Sequence, residues 1–287
     1  CIGFPLQWVS LQLMEQPQTH IQPPGRFSTG FREIWQYREL FYFFTWRDIK
    51  VKYKQTSLGI IWALLQPLGM MLLFTLLFSK TLNFDTRPLP YPVFVLSGLI
   101  LWNLFQSSVS HAGESMIQHA GIIKKIYFPR LIIPGSAVLV ALFDFMMGLL
   151  IFLVFCLVYK QAFHWYTLPY FLGGMLLLLL AALGTGTFLA ALNVKYRDFR
   201  YTIPFFLQVL FFSSQIIYPF NAITQPVLKY ILALNPVNAA IELFRCGLTG
   251  QVPDSLVLVA GASTTVVVFL AGLYYFRKTE AYFADIA

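Results

Sequence analysis

Charge is what this chain has least of: 11% of its 287 residues are Asp, Glu, Lys or Arg, against about a quarter in soluble domains. With 58% of the residues hydrophobic, a soluble globular fold is excluded and a polytopic membrane protein is implied. The three cysteines, Cys1, Cys156 and Cys246, are an odd set without metal-ligand spacing, so neither a disulfide framework nor a zinc site follows. No G-x-x-x-x-G-K stretch occurs, and the chain is expected to carry no nucleotide, cofactor or catalytic site of its own. Buried charge is scarce too. His20, His111, His119 and His164 fall in or beside expected loops, and Asp144 is the one acid deep in an apolar run. Proton- and sodium-driven carriers need more than that. Asp144 itself reads either as a functional group or as an acid bonded to a neighbouring helix.

What charge there is carries information. The net charge of +8 does not point to nucleic acid, because the basic residues sit in short clusters between apolar runs, as cytoplasmic loops do. Six runs have the length of a membrane helix, roughly 17 to 25 residues. They are Leu58 to Ser79, Val93 to Ala112, Ile132 to Val158, Leu168 to Asn193, Thr202 to Tyr218 and Ser255 to Phe276. Placing both termini in the cytoplasm puts 15 of the 20 Lys and Arg on that side, leaving Lys80, Arg87, Lys160, Lys229 and Arg245 outside. Residues 1–30 are polar and contain Pro17, Pro23 and Pro24, so a loose cytoplasmic tail is expected there. The expected fold is all-α: an interface segment over 31–57, then a six-span domain over 58–287.

In the interface segment Arg32, Gln36, Glu39, Arg47, Lys50 and Lys54 fall on one helical stripe, which predicts an amphipathic helix on the membrane surface. Arg38 and Lys52 point the other way, which a kink or snorkelling past the aromatic neighbours would accommodate. Residues 219–254 are too long for a tight turn and too apolar for a solvated loop. Short re-entrant helices are expected there, with a small external cap as the alternative. Gly173, Gly174, Gly184 and Gly186 in the fourth run predict close helix packing.

Three constellations are candidates for function. Ile122, Ile123, Lys124, Lys125, Ile126, Tyr127, Phe128 and Arg130 form a cationic stretch between two apolar runs. The i,i+4 pairs Ile122–Ile126 and Ile123–Tyr127 predict a two-turn surface helix stopped by Pro129. It reads either as an interfacial loop whose lysines meet anionic lipid or as a docking helix for a soluble motor. In the second run Asn103, Gln106, Ser107 and Ser110 recur at helical spacing beside Trp102, and in the first Trp62 and Gln66 are i,i+4. In the fifth, Tyr201, Phe205, Gln208, Phe212 and Gln215 fall along one seam. Amides in hydrocarbon cost several kcal/mol unless bonded, so these stripes face protein or water. Aromatic faces alternating with amides suit a sugar, which stacks on rings and bonds through its hydroxyl rim. Helix-packing seams are the alternative for each stripe.

The segments Trp46 to Leu68, Ile122 to Arg130, Asn193 to Tyr201 and Phe276 to Ala287 resemble the membrane subunits of ABC-2 type exporters, particularly those of O-antigen, teichoic acid and capsule. The resemblance implies a gate helix over Trp46, Arg47, Lys50 and Lys54, and a coupling helix over Ile122 to Arg130. It also implies a separate ATP-binding subunit in two copies, holding the Mg-ATP, and a second copy of this chain. A lipid-linked polysaccharide would pass between the copies across a bacterial inner membrane. Two other classes stay open: an integral-membrane glycosyl or acyl transferase, and an ion-coupled flippase acting on lipid-linked sugars. The first should show acids or histidines converging at the membrane face, and the second more buried charge.

Overall fold

The structure, a computed structural model, describes residues 35–54, 60–78, 86–161, 165–196 and 198–280. The expected tail over 1–30 therefore lies outside the described residues, as do 31–34, 55–59 and 281–287. Among the described residues every regular element is helical: α1 (Arg38–Lys54), α2 (Ile60–Phe78), α3 (Tyr91–Gln118), α4 (Ile132–Val158), α5 (Leu168–Lys195), α6 (Phe199–Phe212), α7 (Pro226–Ala233), α8 (Pro236–Thr249) and α9 (Ser255–Glu280).

The centre of the bundle is α3, most of whose apolar stretch is buried by α4, α5 and α2. Small residues such as Ser97, Gly98, Ser108, Ala112 and Gly113 are spread along it, so neighbours can approach on several sides. Helix α5 carries the glycines. A Cβ on Gly184 would stand 2.5 Å from the Phe269 Cα, and Gly272 faces Gly184 in turn, so α5 and α9 touch backbone to backbone. Gly174 meets α8 in the same way, with a would-be Cβ 2.7 Å from the Ala240 carbonyl oxygen. The packing role expected of these glycines is realised where only a hydrogen fits.

Four helices, α3, α4, α5 with its leading turn, and α9, are long and apolar enough to cross a membrane, or five elements if α7 and α8 count as one bent span. The fifth expected run falls short. Its helix stops at Phe212 after 14 residues, about 21 Å, because the chain turns at Ser213 and Ser214. Between α6 and α9 the chain forms two helices bent by 89°. Pro236 cannot continue α7, and Asn235 caps the new helix by accepting from the Val237 N–H at 3.0 Å. Helix α8 packs within the bundle against α5, α9 and α3, which an external cap would not do.

The segments 119–131, 195–196, 198–200 and the end of α9 lie at one end of the bundle with the start of α1. Arg200 reaches Glu114 at 3.5 Å, and Arg130 donates to the Glu280 carbonyl. The opposite end holds 86–91, 159–161, 165–167 and 250–255, with Thr167 donating to the Gly247 carbonyl at 2.5 Å. Most cationic clusters thus share one end. Arg245 is no loop residue, as the charge count had it. It is buried in α8 and donates to the Gln215 and Phe94 carbonyls and to Ser97 Oγ at 2.7, 2.9 and 3.2 Å.

Candidate functional site

At the cationic end, residues 120–130 form less helix than the i,i+4 pairs predict. One turn, Ala120–Ile123, is followed by turns at Lys124 and Lys125, and the chain has no regular structure from Tyr127 to Pro129. Pro129 disfavours the helical region for Phe128, and burial of alternate sides does the rest. Ile123 and Phe128 point inward, at 7% and 4% exposure, while Ile126 and Tyr127 stand out at 60% and 59%. Ile122 is half-buried, and Lys124 and Lys125 are exposed. The expected single apolar face therefore does not exist. The two aromatic neighbours have separate fates: Phe128 stacks into the chain's own core against Phe44 at 5.8 Å, and Tyr127 is the ring offered outward. A hollow of about 230 Å³ lies in the crook between Ile123 and Arg130.

Helix α1 runs beside the first half of α4 rather than apart from the bundle. Phe41 meets the Gly135 position and Tyr53 packs on Phe143 at 5.8 Å. The off-stripe Lys52 explains itself. Its ammonium lies 2.5 Å from Asp144 Oδ2, and the Tyr53 hydroxyl donates to the other carboxylate oxygen. Burial, then the bond to Asp144, pushes the Tyr53 phenol above its ordinary pKa, so it stays a donor. Lys52 thus neither snorkels nor marks a kink; it answers the half-buried Asp144, and Arg38 rests over the Trp35 ring at 5.7 Å.

Of the gate residues, Trp46, Lys50 and Lys54 are exposed along α1, whereas Arg47 is half-buried over the Phe44 ring. Trp46 is 45% exposed with the Lys50 ammonium 5.3 Å from its ring centre, and Tyr42 stacks on it at 6.3 Å. Phe43, Trp46, Arg47, Lys50, Val51 and Lys54 line a shallow groove of about 330 Å³. Aromatic and cationic groups so interleaved attract anionic headgroups. Arg47 bonds Asp48 at 2.7 Å and His119.

The conduit candidates divide. Gln66 is exposed on α2, and the side chain of Trp62 lies outside the described set. Trp102 is buried, and its indole N–H donates to Gln106 Oε1 at 2.7 Å. Gln106 is exposed, while Asn103, Ser107 and Ser110 are half-buried; Ser107 lies 3.2 Å from His111 Nδ1. On α6, Tyr201, Phe205 and Phe212 are 82%, 68% and 60% exposed and Gln208 is exposed beside them, while Ile203 and Leu207 bury the opposite face. Within one chain the α6 seam faces outward rather than across to α3. Gln215 departs from the seam, since the helix has ended. It is buried, its carboxamide nitrogen donating to the Asn238 carbonyl at 2.8 Å and to Glu242 at 3.1 Å.

Sequence reasoning missed Arg245, His119 and Asn238. A guanidinium flanked by Leu243, Phe244, Cys246 and Leu248 was a signal for the first. Nothing local marks the other two.

These features describe a polytopic helical membrane protein with a cationic end and an outward aromatic seam. Residues 39–249 match the ABC-2 type transporter family, and the chain belongs to it. It is 29% identical over 256 residues to the O-antigen export system permease protein RfbA of Myxococcus xanthus, covering 88% of this chain and 97% of that one. The RfbA protein of Klebsiella pneumoniae is 28% identical over 247 residues, 84% of this chain and 92% of its own. The polysialic acid transport protein KpsM of Escherichia coli is 24% identical over 239 residues, 82% and 91% respectively.

Proposed function

We propose that this chain is the permease subunit of an ABC exporter that moves a polysaccharide across the membrane. The observation that carries the reading is the near end-to-end match to O-antigen export permeases, 88% of this chain against 97% of the relative. It is a transporter subunit and not an enzyme, and the family implies an ATP-binding partner.

The surfaces support finer assignments. Two ATP-binding subunits, carrying Mg-ATP, dock at the 120–130 loop, with Tyr127 presented between Lys124, Lys125 and Arg130; an exposed ring in a polar rim is what interface anchors look like. Two copies of the chain enclose the path, because one copy leaves the α6 seam facing outward. The cargo is lipid-linked, its headgroup meeting the Lys50–Trp46 side of α1 while the glycan meets Tyr201, Phe205, Gln208 and Phe212 and the polar side of α3. The cationic end is cytoplasmic, α2 and α6 stand within the inner membrane to complete six crossings, and α1 starts at its cytoplasmic boundary.

Reconstitution of the chain with its ATP-binding partner in lipid vesicles tests this. A lipid-linked glycan should raise ATP hydrolysis and appear on the far side. Hydrolysis indifferent to every such glycan, with none moved, would refute the reading.

A further inference from the structure

Beneath the cationic end lies a second apolar core, distinct from the main one, that includes Phe44, Met116, Ile123, Phe128, Ile132 and Phe276. Phe44 is the one buried residue of α1. Its ring is met by Phe128 at 5.8 Å and, edge to face at 89°, by the imidazole of His119 at 5.6 Å. One turn further along α1 the Arg47 guanidinium sits over the same ring at 4.9 Å and bonds His119 Nε2. His119 is the hinge point between α3 and the turn Ala120–Ile123, being the C-cap of the first and the N-cap of the second.

The bonding of His119 fixes its tautomer. Nδ1 lies 2.8 Å from the Ser115 carbonyl, an acceptor only, so Nδ1 carries the hydrogen. Nε2 then offers a lone pair, and Arg47, which can only donate, takes it. Ring packing and this bond together tie α1 to the loop by two unlike interactions at one residue. Further along, α1 is fastened to α4 through Lys52 and Asp144.

We infer that His119 is a positioning residue for transport: it makes α1 and the 120–130 loop one mechanical unit, so that movement imposed on the loop by the ATP-binding partner is handed to α1 and, through Lys52 and Asp144, to α4. The inference rests on the reading of the loop as the partner's docking site. Coupling is carried by packed side chains and bonded pairs between rigid elements, and His119 is where α1, α3 and the loop meet. Lys124 and Lys125 do not serve this role, since both are exposed to solvent. Asp48, on the far side of Arg47, holds the guanidinium in place at 2.7 Å.

Two variants separate the bond from the packing. His119→Phe keeps a ring against Phe44 and loses the acceptor for Arg47, whereas His119→Gln keeps an acceptor. In vesicles holding the full complex, His119→Phe should retain bound partner and basal hydrolysis while export and glycan-stimulated hydrolysis fall by about tenfold, the size of an ordinary coupling term. His119→Gln should restore most of that loss. Normal export by His119→Phe, or equal loss in both variants, would overturn the inference.

A second measurement needs neither variant. Spin labels at Glu39 and Gly121, both exposed and the latter with open space around it, should keep their separation through the nucleotide cycle. A change approaching one helical turn, ~5 Å, means that α1 and the loop slide apart, and the inference falls. If the wild-type chain binds no ATP-binding partner, the functional reading fails first and the inference with it. Normal binding with sliding labels sinks the inference alone.

Discussion

Lys52 Nζ lies 2.5 Å from Asp144 Oδ2, which fastens α1 to α4 twelve residues into that helix, about 18 Å from its start. The pair is 35% and 20% exposed, and the Tyr53 hydroxyl completes the carboxylate's shell. Asp144→Ala removes the carboxylate that the Lys52 ammonium and the Tyr53 phenol share in a half-buried place. It should destabilise the protein by about 1–3 kcal/mol. The double variant Lys52→Met with Asp144→Leu should recover much of this, because an apolar pair has no desolvation cost to offset. Thermal unfolding in detergent of Lys52→Met alone, Asp144→Leu alone and the double variant gives the coupling. Additive losses would mean that the pair contributes nothing.

Tyr127 and Phe128 are neighbours with opposite surroundings, and substitution should tell them apart. Phe128→Ala opens a cavity beside Phe44 and should cost about 3–5 kcal/mol of stability. Tyr127→Ala removes an exposed ring and should leave thermal stability within about 0.5 kcal/mol. Only Tyr127→Ala should cut co-purification of the ATP-binding partner from otherwise intact protein. Retention of the partner by Tyr127→Ala would remove that residue as an anchor.

Phe205 and Phe212, being well exposed, leave no cavity inside the chain when truncated. The double alanine variant should express and fold normally. Polysaccharide export should drop severalfold, since ring stacking on the order of 1 kcal/mol each guides a sugar chain without holding it. If the variant instead loses its second copy, the seam is a contact between subunits and not a conduit wall.

Arg245 tests the joint between α3, the end of α6 and α8. Its guanidinium reaches the Gln215 and Phe94 carbonyls and Ser97 Oγ at once, a fork that an ammonium cannot copy. Arg245→Lys should destabilise by roughly 2–4 kcal/mol. Lowered yield of monodisperse protein and a lower melting temperature are the readouts; a wild-type melting curve would show that the three bonds contribute little.

The orientation is open to direct labelling. Cysteine at position 125 should react with an impermeant thiol reagent only after the cells are opened, and cysteine at position 87 should react in intact cells. The reverse pattern would invert the topology and take the proposed docking loop with it.

The sequence by itself determined the class of protein. Sparse charge, long apolar runs and basic clusters between them are properties of composition and order, and they made an all-helical membrane protein legible before any contact was known. The glycines of α5 were legible for the same reason, because a missing side chain has one consequence in a tightly packed bundle. Three things were decided only in three dimensions. Periodicity extended the α6 seam through Gln215, yet the chain turns at Ser213, and a buried polar joint from α8 claims the amide. The i,i+4 pairs of residues 122–127 promised a second helical turn, but Phe128 is worth more buried under Phe44 than aligned on a surface helix. Lys52 and Asp144 are 92 residues apart and separately anomalous. Local pattern reports only what a residue's own helix can satisfy, and a charge whose partner lies on another helix becomes intelligible only once packing brings the two together.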